Sequence, residues 1–393
     1  MFSPKKLFGK LVLLGFAFLL ASASALQAAA KSGAKEKVWY FAVSGDSRDC
    51  GDLIVPKIAA SIEQARSQTP AEFYWHLGDL RALYREDCDI LLRRDPTAKC
   101  PPDANKGTDK YPFGLYLEEA WDDFIQNQIT PFGRTPYVLG IGNHELINRP
   151  RDYFVCKFGR WLDEEPIASQ LRSDAKLGIP SVPGGTYYHF VKRGADFIYL
   201  DNADFDASFG DTQLAWLEKV LAADARDRKV KTIVVGMHAA LPYSCGFRHA
   251  MDRSVRGVNT GLRAYDMFVR SQERDGKRVY VLASHSHFFA EDIYDTPMHK
   301  GHVLPGWIVG TAGAEQYRVR PTDRIRYGYM LVGVRDDGTI STEFKEVKRE
   351  DPPRARDAAD EAIADFCFNR NMQPMPDDHP PLPESDCKCQ CKP

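Results

Sequence analysis

Seven side chains able to bind a metal or move a proton follow short apolar runs in this chain. Phe41-Ala42-Val43 leads to Asp46, Tyr74-Trp75-His76-Leu77 to Asp79, and Val138-Leu139-Gly140-Ile141 to Asn143 and His144. Ile233-Val234-Val235-Gly236 leads to His238, and Val279-Tyr280-Val281-Leu282 to His285 and His287. Carboxylate, amide and imidazole donors together suit a borderline divalent metal such as Zn, Mn or Fe. A Gly-Asp or an Asn-His alone is an ordinary turn or cap. The His285-x-His287 pair is more specific, because alternate residues of an extended chain point the same way. The ordered set is the signal.

Such residues need elements to carry them. Apolar β-rich runs at 37–43, 72–77, 136–141, 196–200, 231–237, 278–283 and 306–310 read as strands. Residues 52–67 and 116–129 read as helices. The segment "DTQLAWLEKVLAAD" reads as another, with Asp211 as its N-cap and Leu214, Leu217 and Leu221 on one face. Strands alternating with helices predict an α/β class. The later runs "YYHFVKR", "YGYMLVGVR" and "TISTEFKEVKR" alternate with period two and have no helices between them. They predict an added antiparallel part and hence a mixed sheet. In open α/β sheets, ligands collect beyond the carboxyl ends of the strands, where all of these candidate ligands fall.

Residues 81–115 and 145–185 are rich in Pro, Gly, Asp and Arg and read as long surface loops bordering the site. Residues 350–393 are Pro- and Asp-rich, with one short helical stretch at 356–366, and read as a tail that wraps the surface or stays partly disordered. No internal repeat is present.

The series "GDSR", "GDL", "GNHE", "MH" and "SHSH" resembles the calcineurin-like metallophosphoesterase superfamily, which includes the purple acid phosphatases. The resemblance runs from about residue 37 to 315. It implies two mixed β-sheets packed face to face with helices outside, a four-layer sandwich holding two divalent ions at the carboxyl edge. Asp79 would then bridge the ions, Asp46 and His287 would hold the first, and Asn143, His238 and His285 the second. His144 would contact the substrate phosphate and help protonate the leaving oxygen. Two dications about 3.5–4 Å apart clamp the attacking and leaving oxygens of an in-line displacement and activate water near neutral pH. No side-chain nucleophile is then required. Glu145 and Asp201 are candidates to orient ligands from behind.

One position departs from the family pattern. Most members carry His two residues after the first Asp; here Arg48 stands there. Guanidinium offers only donors and cannot ligate a metal. The purple acid phosphatases instead use a Tyr three residues after the bridging Asp, and that position is Ala82, with Tyr84 two residues further on. The first ion is therefore short of a protein ligand. Arg48 has three readings: a bidentate donor to the substrate phosphate, a partner of Asp49, Asp52 or another carboxylate turned away from the site, or a replacement for the first ion's charge. The remaining histidines, His76, His189, His249, His299, His302 and His379, fall outside the strand-end series and read as packed or solvated. The loop holding His249 also carries Arg248, Arg253 and Arg256, and has two readings, a solvated surface or a contact to an anionic substrate.

Charge and cysteine content bound the setting. Lys5, Lys6 and Lys10, an apolar core at 11–20 and small residues between Ala23 and Ala30 form the three-part pattern of a secretory signal at 1–29. That apolar core is shorter than the roughly 20 residues that span a bilayer. Removing those three lysines takes the net charge from -2 to about -5. No basic block suggests nucleic acid, and after cleavage nothing suggests a membrane. Nine cysteines in an exported chain suggest disulfides, with Cys88 and Cys100 plausible partners across a loop. Cys387, Cys389 and Cys391 end the chain as a disulfide-bearing tail or a soft-metal site. These observations predict a periplasmic or secreted phosphoesterase domain at 37–349 with a tail at 350–393. Phosphomonoesters are the first expected substrates, and diesters or nucleotides the alternative. The rival reading is a non-catalytic metal- or phosphate-binding protein.

Overall fold

The structure is a computed structural model and describes residues 37–108, 111–180, 184–246, 249–318 and 322–374. β1 (Val38–Ser44) leads through α1 (Gly51–Gln64) to β2 (Ala71–His76), which lies parallel to β1 with Ser44 opposite His76. α2 (Cys88–Arg94) and α3 (Phe113–Phe124) precede β3 (Tyr137–Leu139), parallel to β2. After α4 (Arg151–Leu162) and α5 (Ile167–Leu177), the chain enters a second sheet. There β4 (Tyr188–Lys192) runs antiparallel to β5 (Ala195–Leu200). α6 (Asp211–Arg226), β6 (Thr232–Met237), α7 (Val255–Glu273) and β7 (Arg278–Ala283) continue it as parallel crossovers. β8 (Phe289–Glu291) and β9 (Gly306–Val309) close its far edge. After β10 (Gln316–Arg318), the chain returns to the first sheet as the antiparallel pair β11 (Tyr327–Arg335) and β12 (Ile340–Val347). α8 (Ala358–Asp365) and β13 (Met372–Pro374), parallel to β10, follow.

Both large sheets are mixed, with strand orders β12-β11-β1-β2-β3 and β4-β5-β6-β7-β9-β8. Their inner faces meet through aromatic rings. Phe197 of β5 packs edge-on against Phe41 of β1 at 5.0 Å and Phe73 of β2 at 5.1 Å, and the Trp75 indole donates to the Tyr188 hydroxyl. Each buried Phe here contributes roughly 1.5–3 kcal/mol by leaving water. The outer faces are covered by helices. The apolar side of α1, including Ile54, Ile58 and Ile62, packs on the first sheet, and α7 lies on the second. Leu214, Leu217 and Leu221 of α6 join Phe268 of α7 and Val235 of β6 in a second core. Helix, sheet, sheet and helix form the four layers implied by the family resemblance. Among the described residues, no helix is long and apolar enough to cross a membrane.

Four local expectations are corrected. The stretch 145–185 is not one loop, because it holds α4 and α5. Phe154, Phe158 and Leu162 recur every fourth residue and are buried, a helical stripe hidden among Arg and Asp. The stretch 81–115 likewise contains α2 and the start of α3. Asp211 is the first helical residue, with Gly210 at the N-cap; its carboxylate favours the helix N-terminus and pairs with Arg263 at 2.9 Å. Cys88 and Cys100 are free thiols, whereas Cys50 is bridged to Cys367 and Cys245 is disulfide-bonded too.

The Cys50–Cys367 bridge ties the chain after β1 to the C-terminal segment. Asn371 follows it, donating to the Tyr327 hydroxyl at 2.8 Å and to the Gly313 carbonyl at 3.3 Å. The described part of the tail, residues 350–374, thus wraps the surface and is tied to the body at Cys367 and Asn371. The secretory signal at 1–29, His379 and Cys387 to Cys391 lie outside the described residues.

Candidate metal centre

The carboxyl ends of β1, β2, β3, β6 and β7 converge. Asp46, Asp79, His238 and His285 are all buried and present ligand atoms within 4.8 Å of one another. Asn143 joins them, its Oδ1 lying 3.0 Å from His238 Nε2. Asp46, Asp79 and His285 hold left-handed backbone, with φ of 59°, 59° and 65°. A non-glycine residue there costs on the order of 1–3 kcal/mol, a strain that collects at functional sites. Backbone hydrogen bonds between the strand ends hold it in place: Asp46 donates to Gly78 at 3.0 Å and Ser47 to Asp79 at 2.9 Å. Gly142 is required by close approach, because a Cβ there would meet Asp79 Oδ1 and His238.

Several valences of these residues are left open. Asp46 Oδ2 accepts the His285 backbone N–H at 2.7 Å, and Asp79 Oδ1 accepts that of His144 at 3.0 Å. Their other oxygens, Asp46 Oδ1 and Asp79 Oδ2, are buried without a hydrogen-bond partner, as is His285 Nδ1. An unmade bond at a buried carboxylate is expensive. A divalent cation satisfies such atoms, and carboxylate, amide and imidazole are donors it accepts. His238 is oriented for this. Its Nδ1 lies 3.0 Å from both the Leu77 carbonyl and Ser284 Oγ, so Nδ1 carries the hydrogen and Nε2 faces Asp79 Oδ1 at 3.1 Å. Glu145 braces the frame from behind: its carboxylate accepts the backbone N–H groups of Asp79, Leu80 and Gly142 at 2.9, 2.8 and 2.7 Å.

Arg48 enters the centre. It does not pair with Asp49 or Asp52, which are taken by Arg85 and Arg81. Arg48 Nη2 lies 3.0 Å from His287 Nε2 and 4.0 Å from Glu315 Oε1, and the side chain is 5% exposed. Guanidinium only donates, so His287 Nε2 accepts and its ring hydrogen sits on Nδ1. That same Nε2 lies 3.4 Å from Asp46 Oδ1. His287 is thus next to the cluster but spends its lone pair on Arg48. Arg48 therefore lies against His287 and also meets a carboxylate, that of Glu315.

The electrostatics follow from burial and these neighbours. Burial raises the Asp79 pKa, but His144 and His238 outweigh it and hold the carboxyl well below its usual range. Burial lowers the His238 pKa, yet Asp79 lifts it to about 9. Burial and then Arg48 push His144 down to about 4, so its ring is neutral near pH 7. His144 Nδ1 donates to the Ala82 carbonyl at 2.6 Å, leaving Nε2 on the side of Asp79 Oδ2, 3.7 Å away. Burial and Asp79 raise Glu145 to about 8.

Three participants escaped the sequence. His249 packs 4.7 Å from the His285 ring and stacks 4.9 Å from Tyr317, with its buried Nδ1 unpartnered. Its surface reading is therefore corrected, and no local pattern marks a loop histidine that reaches a centre through tertiary folding. Tyr317 and Glu315 arrive from the segment around β10 in the same way. Tyr84 packs against His144 at 5.4 Å, lining the approach. Asp201 stands elsewhere, accepting from Arg151 at 3.0 Å and from Ala203, and serves its turn. A cavity of about 300 Å³ lined by Arg151, Trp216 and His189 contains none of the residues of the centre.

No protein-family model matches the chain, and no curated protein matches it. Among solved structures, it is similar to a purple acid phosphatase from yellow lupin (Lupinus luteus) seeds at 17% identity and a TM-score of 0.49, covering 79% of this chain and 52% of that one. The chain thus spans about half the length of the lupin protein. It is similar to GAP50, described as the anchor in the inner membrane complex of Plasmodium, at 12% identity and a TM-score of 0.42, covering 87% and 99% of the two chains. A phosphatase from Mycoplasma pneumoniae gives 12% identity, a TM-score of 0.39 and coverages of 81% and 96%. These TM-scores lie below 0.5, and the chemistry of the centre is carried by its own residues.

Proposed function

We propose that this chain is an exported metal-dependent phosphoesterase that hydrolyses phosphomonoesters. The observation that carries the reading is the buried set Asp46, Asp79, His238 and His285, whose ligand atoms lie within 4.8 Å of one another and which has unpartnered atoms on Asp46, Asp79 and His285. Asp79, Asn143, His238 and His285 would hold a divalent ion, Zn, Mn or Fe, with Asp46 beside it. Such an ion supplies positive charge for phosphoryl oxygens and an acidified water.

The chain's own residues do the rest. Arg48 directs N–H donors into the centre, and its Nε is buried without a partner, free to meet a phosphoryl oxygen. The neutral His144 ring presents Nε2 on the same side as Asp79. A phosphate dianion beside it would raise its pKa, so that the ring gains a proton as substrate binds and can return it to the leaving oxygen. Glu145 holds the loops carrying Asp79 and Gly142, which fixes where the substrate sits. Residues 37–349 would carry this chemistry, behind a leader at 1–29. The Cys50–Cys367 disulfide supports an oxidising compartment, periplasmic or external. The proposed partner is a small phosphorylated substrate.

The test is nitrophenol release from mono- and bis-nitrophenyl phosphate by the mature chain supplied with Mn or Zn. The monoester is expected to be cleaved faster, and His144→Ala to lose activity while keeping its metal. Faster cleavage of the diester would move the reading to phosphodiesters. The buried Arg48 beside Asp46 favours one second reading, a metal- and phosphate-binding protein without turnover. Metal and orthophosphate binding with no hydrolysis of either ester would establish it.

A further inference from the structure

We infer that this centre holds one metal ion, not two, and that the Arg48 guanidinium stands where a second ion would sit, as a built-in cation facing the substrate's phosphoryl oxygens. This inference rests on the metal-dependent reading above.

The two sides of the centre differ in whether a guanidinium takes an imidazole nitrogen. On the side of Asp79, Asn143, His238 and His285, His238 Nε2 lies 3.0 Å from Asn143 Oδ1 and 3.1 Å from Asp79 Oδ1, and His285 Nδ1 has no partner. On the side of Asp46 and His287, Arg48 Nη2 takes His287 Nε2 at 3.0 Å, the same nitrogen that faces Asp46 Oδ1 at 3.4 Å. A second ion between Asp46 and His287 would need that lone pair and would lie against a permanently protonated guanidinium. Desolvation and like charge both oppose it. The converging set accordingly includes Asp46, Asp79, His238 and His285 but not His287. No other described Asp, Glu, His or Cys side chain joins this set.

Arg48 is built in, not merely nearby. Its side chain is 5% exposed, and it faces Glu315 at 4.0 Å. Glu315 is in turn hydrogen-bonded by Gln373 of β13. β13 pairs with β10 from Met372, directly after Asn371, and Asn371 follows the Cys50–Cys367 bridge. The tail thus reaches back to the loop that carries Arg48 and holds its counter-charge. A planar donor fork is suited to an anionic phosphoryl group, and it cannot be removed by chelation.

The test is ion binding and electron paramagnetic resonance on the mature chain, stripped with chelator and titrated with Mn(II), beside Arg48→His and Arg48→Gln. The expected result is one Mn(II) per chain with the spectrum of an isolated ion, rising to two with an exchange-coupled spectrum in Arg48→His. Arg48→Gln, which removes the charge without adding a ligand, should keep one ion and bind orthophosphate at least tenfold more weakly. Two ions in the unaltered chain would overturn the inference and leave the phosphoesterase reading standing. No ion in the unaltered chain would overturn both. One ion in both the unaltered chain and a folded Arg48→His would overturn the claim that Arg48 is what excludes the second.

Discussion

Among the described residues, two buried clusters that combine histidine with carboxylates stand in contrast. Around His189, Nδ1 pairs with Asp196 at 2.9 Å and Nε2 with Asp174 at 3.0 Å, so both ring nitrogens are spent. Burial lowers the His189 pKa, but Asp196 and Asp174 outweigh it and lift it to about 10. Asp224, raised by burial and by Asp196 to about 10, stays neutral beside them. That cluster supplies its own cation, the imidazolium. At the strand ends, Asp46 Oδ1, Asp79 Oδ2 and His285 Nδ1 have no partner, and the backbone beneath them is held in left-handed conformations. Residue type alone would have ranked the two alike. What separates them is how the histidine is held: at His189 both ring nitrogens are taken by carboxylates, whereas His285 Nδ1 and one oxygen each of Asp46 and Asp79 have no partner.

The comparison is broken most severely by Asp79→Asn. The substitution keeps the shape and removes the charge facing His144 and His238. Metal binding and ester hydrolysis should both be lost while the far-ultraviolet circular dichroism is unchanged. Retention of metal at the unaltered affinity would remove Asp79 from the centre. The counterpart on the other side is His189→Ala, which strands two buried carboxylates and should cost about 3–5 kcal/mol of stability with the metal content unchanged. Chemical denaturation and elemental analysis read the two effects separately.

The same pair differs in its response to pH. His189 titrates higher in the folded chain, at about 10, than its ordinary 6.5. Its stabilisation is therefore fully present below about pH 6.5 and is lost as pH rises through about 10. Denaturation midpoints measured from pH 6 to 10 should fall more steeply in the unaltered chain than in His189→Ala. Parallel profiles would show that His189 is not the charged partner. The smallest effect is expected from Glu145→Gln. One amide oxygen cannot replace the two carboxylate oxygens that accept from Asp79, Leu80 and Gly142. Metal affinity should fall by about 10–100-fold without loss of the fold. An unchanged affinity would show that Glu145 only packs.

The legible part of this molecule was the part written in short-range patterns. Val43, Leu77, Ile141, Met237 and Ala283 close or flank apolar runs, and the strands and the residues beyond them could be read from that, though not the order of the strands in the sheets. Phe154, Phe158 and Leu162 were also legible in principle, but charged neighbours masked the helical stripe and the segment read as loop. His249, Glu315 and Tyr317 were not legible, because they come to the centre from loops whose position depends on long-range packing. The Cys50–Cys367 bridge spans a sequence separation of 317 residues and leaves no local mark. Arg48 was visible as an anomaly, but its direction was not. Asp49 and Asp52 offered nearer partners in sequence, and only the structure shows that Arg85 and Arg81 take them.

The most direct test of the centre is anomalous diffraction at the manganese edge from crystals of the mature chain grown with Mn(II). The account predicts a single strong peak within reach of Asp79, Asn143, His238 and His285, with the Arg48 guanidinium, not a second peak, beside Asp46 and His287. A second peak between Asp46 and His287, or no peak among the strand-end residues, would contradict it.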